Sequence, residues 1–349
     1  MSTYTPEQLA SPDFLRSVNQ ERLLALWEQP FDGVVYDFDD TIATKGEVNN
    51  SILQRQAQLI AEGAILTVSS ARGESLHPLY TDKLMAMLEK NTPLEETHMY
   101  LTTRNGACTE HAFTREIIDE HPFPEDLYQA FSNHPLVEAL QALTPLSHIA
   151  NTEKLYGKLE QEYGIPRHPS SNNNPALFTD VHRTSGKMYK VNAYFNPQQF
   201  EKVYQEKGNI VKEALYVIDY YSGGKHLENA PAMASIIQDR LAEEGIFINP
   251  HCFGSDNGID ITIAGVNKGT GYNAIYSVIA KMKEQTNPAI VTLGDSPQHN
   301  DAPLLQCGTG VTNVNYFNPQ GAIVLDIPGI KDQIDRTMYF FNHVQLLKT

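Results

Sequence analysis

The chain has 349 residues, 41% of them hydrophobic, which is enough to bury a sizeable core and excludes disorder as the default while favouring two structural units. Its 42 acidic against 26 basic residues leave a formal net charge of −16 spread along the chain, a balance that repels a nucleic-acid polyanion but accommodates a small phosphate ester held by a metal and a few basic side chains. Cys108, Cys252 and Cys307 lack the paired spacing of a zinc site or a disulfide framework, and no window reads as a signal peptide or membrane span, so a soluble chain in the reducing cytoplasm is expected, with non-classical export left open.

Residues 7–28 carry Leu15, Val18, Leu23, Leu24 and Trp27 at helical spacing and predict an amphipathic helix on the core. Gly33–Tyr36 (GVVY) predicts a buried strand, residues 50–62 a helix closed by Gly63, and Ala64–Val68 the next strand, an order that implies a parallel sheet. From 109 to 264 the texture changes. A loop at 168–175 (HPSSNNNP), strand-like runs at 188–195 and 215–221, a helix at 231–245 and two strands, Ile246–Cys252 and Gly258–Ile263, separated by a turn-prone GSDNG, predict an α+β domain. After Lys268 the alternation returns with a helix (TGYNAIYSVIAKMKEQ), a strand (AIVTLG), a short helix at 302–306, a strand (TGVTNV) and a final helix near 331–347. The expected organisation is an N-terminal helical extension (1–30), a core in two parts (31–108 and 265–349) and an α+β insertion (109–264).

Three segments at predicted strand ends and one just before a predicted helix carry groups suited to chemistry. In DFDDT, Asp37 ends the apolar run VVY and Asp39 follows two residues on, so both lie on one side, one placed to attack and the other to move a proton. Ligands of an open parallel sheet bind outside the carboxyl ends of its strands, which is where these acids fall. Ser70, Ala71 and Arg72 follow AILTVS and offer a hydroxyl and backbone N–H donors to an anionic oxygen. Asp295 opens the loop GDSPQHND, where it and either Asn300 or Asp301 can meet a divalent cation, and hard oxygen donors suit Mg²⁺. Lys268, in GVNKGTG, stands just before a helix, a place the macrodipole disfavours for a cation and which therefore points to a functional reason.

Together DFDDT, GAILTVSSAR, GVNKG and GDSPQHND resemble, in order, the four motifs of the haloacid dehalogenase superfamily, and within it the Cof-type and sugar-phosphate phosphatases. RNGACTE, at 104–110, resembles the segment these families place just before their cap. The resemblance implies a Rossmann-like, doubly wound α/β core with an α+β cap inserted between the second and third motifs. It makes Asp37 the nucleophile, Asp39 the general acid and base, Ser70 the phosphate-binding hydroxyl with Ala71 in place of the usual glycine beside it, and Lys268 the phosphate-neutralising cation. It also implies Mg²⁺ held by Asp37, Asp39 and Asp295, with Ser296, Asn300 and Asp301 around it. The fourth motif is longer than usual, its acids six residues apart instead of four, a feature of the related phosphomannomutases.

Within the insertion, Arg183, Lys187 and Lys190 form a basic stretch that either contacts a second anionic or hydroxyl-rich group of the substrate or is simply solvated. His251, Cys252 and His299 read as strand and loop residues because no partner at metal spacing accompanies them. The expected function is magnesium-dependent hydrolysis of a small phosphate monoester through an aspartyl-phosphate. The alternatives are a phosphomutase, which returns the phosphoryl group to a sugar hydroxyl, and a catalytically silent binding module.

Overall fold

The computed structural model describes residues 4–88, 92–134, 177–184, 187–195, 238–253, 258–318 and 320–349. The chain divides into two compact units, one made of Met1–Glu120 with Asn267–Thr349 and the other of His121–Val266.

The first unit is built on an eight-stranded sheet. In chain order its strands are β1 (Gly33–Asp37), β2 (Leu66–Ser69), β3 (Met99–Thr103), β4 (Cys108–His111), β5 (Ile117–Glu120), and then, after the second unit, Ile290–Gly294, Thr309–Thr312 and Ile323–Val324. From edge to edge the order runs Ile323–Val324, Thr309–Thr312, Ile290–Gly294, β1, β2, β3, β4, β5. The first six pair parallel, and β4 pairs antiparallel with both β3 and β5. The sheet therefore runs on past residue 108 to Glu120.

Strand alternation explains how both faces are covered. Val34 and Tyr36 point into one apolar layer with Leu66, Val68, Leu293 and Val311, closed by residues of the helices Pro12–Glu28, Asn50–Ala61 and Gln333–His343. Val35 points the other way and packs with Ile275 and Ile279 of the helix Lys268–Met282. Period two then puts Asp37 on the same face as Val35, toward the start of that helix.

The antiparallel return after β3 needs a turn that L residues rarely adopt, and Arg104, Asn105 and Gly106 supply it with φ of 55°, 58° and 88°. At Gly106 a β-carbon would overlap the carbonyl oxygen of Asn267, so only glycine lets this turn sit against the loop that carries Lys268. On the opposite edge, the helix Pro12–Glu28 covers the last strand. Buried Asn19 accepts from the Val324 N–H at 2.8 Å and donates to the Val324 carbonyl at 2.9 Å, so its side-chain amide replaces the missing neighbouring strand.

The second unit holds a four-stranded antiparallel sheet of β6 (Leu177–Thr184), β7 (Lys187–Phe195), β8 (Ile248–Phe253) and β9 (Gly258–Ile263), in the order β8, β9, β7, β6. The strands expected at 188–195, 246–252 and 258–263 are these, within two residues. Alternation again separates two faces, with Ile248 and Ile261 on one and Asp260 and Thr262 on the other. The strand expected at 215–221, the loop at 168–175 and residues 231–237 of the expected helix lie outside the described residues.

Candidate active site

Four strand ends converge at the carboxyl edge of the large sheet. β1 ends at Asp37, β2 at Ser69 just before Ser70, Ile290–Gly294 just before Asp295, and Thr309–Thr312 just before Asn313. Parallel registry holds them level, with Asp37 opposite Ser69 and Gly294 opposite Thr312.

The helix Lys268–Met282 brings the cation. Asn267 caps it, its side chain accepting from the Gly269 N–H at 2.8 Å, while Thr270 reaches back to the Asn267 N–H at 3.1 Å. Lys268 is thereby fixed at the first helical position, only 2% exposed, with its ammonium 2.5 Å from both Asp37 Oδ1 and Asp301 Oδ1. Burial alone would lower its pKa, but the Asp301 and Asp37 carboxylates outweigh that and hold it well above the usual lysine range.

Asp301 is completely buried and fully engaged. Its Oδ1 takes the Lys268 ammonium and its Oδ2 accepts from the N–H groups of Asp295 and Ser296, each at 3.0 Å. One carboxylate thus fixes both the lysine and the start of the loop GDSPQHND. A β-carbon at Gly294 would lie 2.5 Å from Asp301 Oδ2, so that arrangement also requires glycine there.

Asp37, Asp295 and Asp301 each offer a carboxylate oxygen within 4.8 Å of the others. Gathering this charge out of water raises Asp37 to about 8, through burial and then the Asp301 charge, with Lys268 acting in the opposite direction. Asp295 rises to about 9, again through burial first and then the Asp37 and Asp301 charges. One ammonium does not balance three clustered carboxylates, two of them buried and Asp295 partly so, and a divalent cation would. Hard oxygen donors and the buried Asn300 Oδ1, which has no hydrogen-bond partner, fit a hydrated Mg²⁺. Asp301 takes three protein hydrogen bonds and Asp37 two, so Asp301 is the more committed of the two buried carboxylates.

The Asp39 side chain is placed differently from the expectation that it ligates the metal with Asp37 and Asp295. It is not one of the three clustered carboxylates and is bound by Arg72 instead, Nε to Oδ2 at 2.9 Å and Nη2 to Oδ1 at 2.7 Å. Ser70 is fully buried, and its hydroxyl accepts from the Arg72 N–H at 3.1 Å, forming the turn that follows β2. Ala71 lies within that turn.

Arg183 falls on β6 and Lys187 opens β7, where it is exposed. Lys190 is buried, its ammonium 2.9 Å from the equally buried Asp260, so its charge is answered within the sheet and it does not extend a basic surface. His251 also bonds locally, to Thr262 Oγ1 and the Val266 carbonyl, both at 3.0 Å.

Thr41 and Asn313 were not singled out from the sequence, and Arg72 was named there only for its backbone N–H. Thr41 donates to Asp37 Oδ2 at 3.4 Å, Arg72 holds Asp39, and buried Asn313 donates to the Asp40 carbonyl at 3.0 Å. Asp40 needs that support because it sits at a φ of 53°. Thr41 and Arg72 stand inside quoted motifs, but nothing local in the sequence joins Asn313 to Asp40.

Residues 34–312 match the family model described as haloacid dehalogenase-like hydrolase. The chain belongs to the haloacid dehalogenase-like hydrolases. No curated protein matches it. Among solved structures, a protein of Plasmodium vivax described as a HAD/COF-like hydrolase superposes with a TM-score of 0.54 at 14% identity, covering 91% of this chain and 97% of that one. TM0651 of Thermotoga maritima superposes with a TM-score of 0.51 at 12% identity, covering 90% of this chain and 97% of that one. At such identities these two establish a shared fold. The haloacid dehalogenase match spans all four sequence motifs and the segment between the second and third, in agreement with the expected fold class. Among the described residues, no helix is long and apolar enough to cross a membrane.

Proposed function

We propose that this haloacid dehalogenase-like hydrolase is a magnesium-dependent phosphatase that passes the phosphoryl group of a small monoester through an aspartyl-phosphate on Asp37. The observation that carries the reading is the meeting of Asp37, Asp301 and Lys268, all buried, with half-buried Asp295 at the carboxyl edge of a parallel sheet.

Lys268 holds Asp37 Oδ1 and leaves Oδ2, lightly held by Thr41, as the atom that attacks phosphorus. As that P–O bond forms, the bond to the leaving oxygen breaks and Asp39 supplies its proton. In the second half the oxygen of a water bonds to phosphorus, Asp39 takes the water's proton, and the bond to Asp37 breaks. Ser70 and Lys268 hold the non-bridging oxygens. Bound magnesium, carried by Asp37 and Asp295 within the loop that Asp301 fixes, would neutralise charge on the phosphoryl oxygens. The His121–Val266 unit serves as the cap that selects the substrate.

The six-residue spacing of Asp295 and Asp301 favours one rival, a phosphomutase using the same Asp37. A screen over sugar phosphates, nucleotides, phosphoglycerates and phosphopeptides, with and without Mg²⁺ and beside Asp37→Asn, decides between them. Magnesium-dependent phosphate release lost in the variant is expected. Activity appearing only with a sugar bisphosphate activator, and yielding an isomerised sugar phosphate without free phosphate, supports the mutase. Retained turnover in Asp37→Asn refutes the assignment of the nucleophile.

A further inference from the structure

Three restraints converge on Arg72. Its guanidinium grips both oxygens of Asp39 and lies over the Phe38 ring, 5.5 Å from the centroid, while its backbone N–H donates to Ser70 Oγ. We propose that Arg72 is a positioning residue that orients the Asp39 carboxylate for proton transfer and ties that orientation to the Ser70 turn. The inference rests on the phosphatase reading above.

Asp39 needs an external restraint for a physical reason. Its side chain is 43% exposed, whereas Asp37 is 4% exposed and fixed by Lys268. An aspartate's terminal torsion is broad, so an exposed carboxylate left alone samples many orientations. Two parallel N–H bonds from a planar guanidinium fix both the position and the plane of the carboxylate, which a single bond or the point charge of a lysine does not. The carboxylate retains lone-pair capacity beyond the two bonds Arg72 uses, leaving a place for the proton that moves to the leaving oxygen. Because the same residue closes the turn on Ser70, proton donor and phosphate-binding hydroxyl are held by one side chain and its own backbone.

The test compares two esters in wild type, Arg72→Ala and Arg72→Lys. One is the best alkyl phosphate from the screen, whose alkoxide must be protonated, and the other is p-nitrophenyl phosphate, whose phenolate leaves without a proton. Arg72→Ala should lower kcat for the alkyl ester by about 10²-fold or more, the contribution expected of general acid catalysis, and for the aryl ester by less than about tenfold. KM should stay nearly constant, and added guanidinium should restore alkyl-ester turnover. Arg72→Lys should show the same ester dependence with a smaller loss, and carries the test if the alanine variant does not fold. Equal losses on both esters, or a loss residing in KM, would overturn the inference while leaving the phosphatase reading intact. Wild-type protein silent on every ester in the screen would overturn both.

Discussion

Asp37 closes β1 and Asp39 follows two residues on, each paired with a cation, yet the pairs differ in kind. Asp37 is bound to Lys268 in a buried cluster with Asp301, while Asp39 is bound to Arg72 with both side chains about a third or more exposed. Burial makes the first pair hard to break, because removing one charge strands the others without water. Exposure makes the second pair energetically weak, so its value lies in orientation. One site thus uses electrostatics twice, to neutralise charge in the interior and to set an angle at the rim.

Breaking the buried side should have the largest effects. Asp37→Asn should abolish turnover, by on the order of 10⁴-fold or more, with a native circular dichroism spectrum. Lys268→Met strips buried Asp37 and Asp301 of their shared cation, and urea unfolding at neutral pH without metal should show a loss of about 3–5 kcal/mol. A change below about 1 kcal/mol would show that the lysine is not the structural counter-charge.

Much of this was legible in the sequence because each motif follows an apolar run. GVVY before Asp37 and AIVTL before Gly294 announce strands, and acids directly after a buried strand have few structural uses. The partnerships were less legible. Asp301 was one of two candidates for the metal's surroundings, since spacing alone does not reveal that its oxygens are taken by Lys268 and two backbone N–H groups. Lys190 reads as a free cation because its counter-charge, Asp260, lies far along the chain. The strands Met99–Thr103 and Cys108–His111 went unrecognised because threonines interrupt their apolar pattern, and Thr102, Thr103 and Thr109 are nonetheless buried. Thr102 is so closely approached by the helix Lys268–Met282 that a β-carbon at Gly271 would lie 2.7 Å from it, a packing detail that periodicity does not convey.

A milder disturbance is Gly294→Ala, whose new methyl group meets Asp301 Oδ2. It should destabilise the protein by about 1–3 kcal/mol and weaken magnesium binding, measured by thermal unfolding across a metal titration. Unchanged magnesium affinity would separate Asp301 from the metal loop.

The same comparison has a pH signature. In metal-free protein Asp37 lies at about 8 and Asp295 at about 9, against an ordinary 3.8, so the folded state retains protons that the unfolded chain has released. Stability therefore falls as pH rises from about 4 to about 9. Magnesium binds the ionised carboxylates, so it should raise the melting temperature more at about pH 8 than at about pH 5. A larger shift at the lower pH would contradict the cluster as its site.

Smallest should be the stability effect at the rim. Arg72→Ala should change unfolding free energy by under about 1 kcal/mol, even though its effect on alkyl-ester turnover is large. A loss of several kcal/mol would make Arg72 a structural residue.

The most direct test of covalent transfer through Asp37 is the stereochemistry at phosphorus, followed with an isotopically chiral phosphate ester and an alcohol acceptor. Two successive in-line displacements, onto Asp37 and off it, predict overall retention of configuration. Inversion would mean a single direct attack on the substrate, and Asp37 would not be the acceptor.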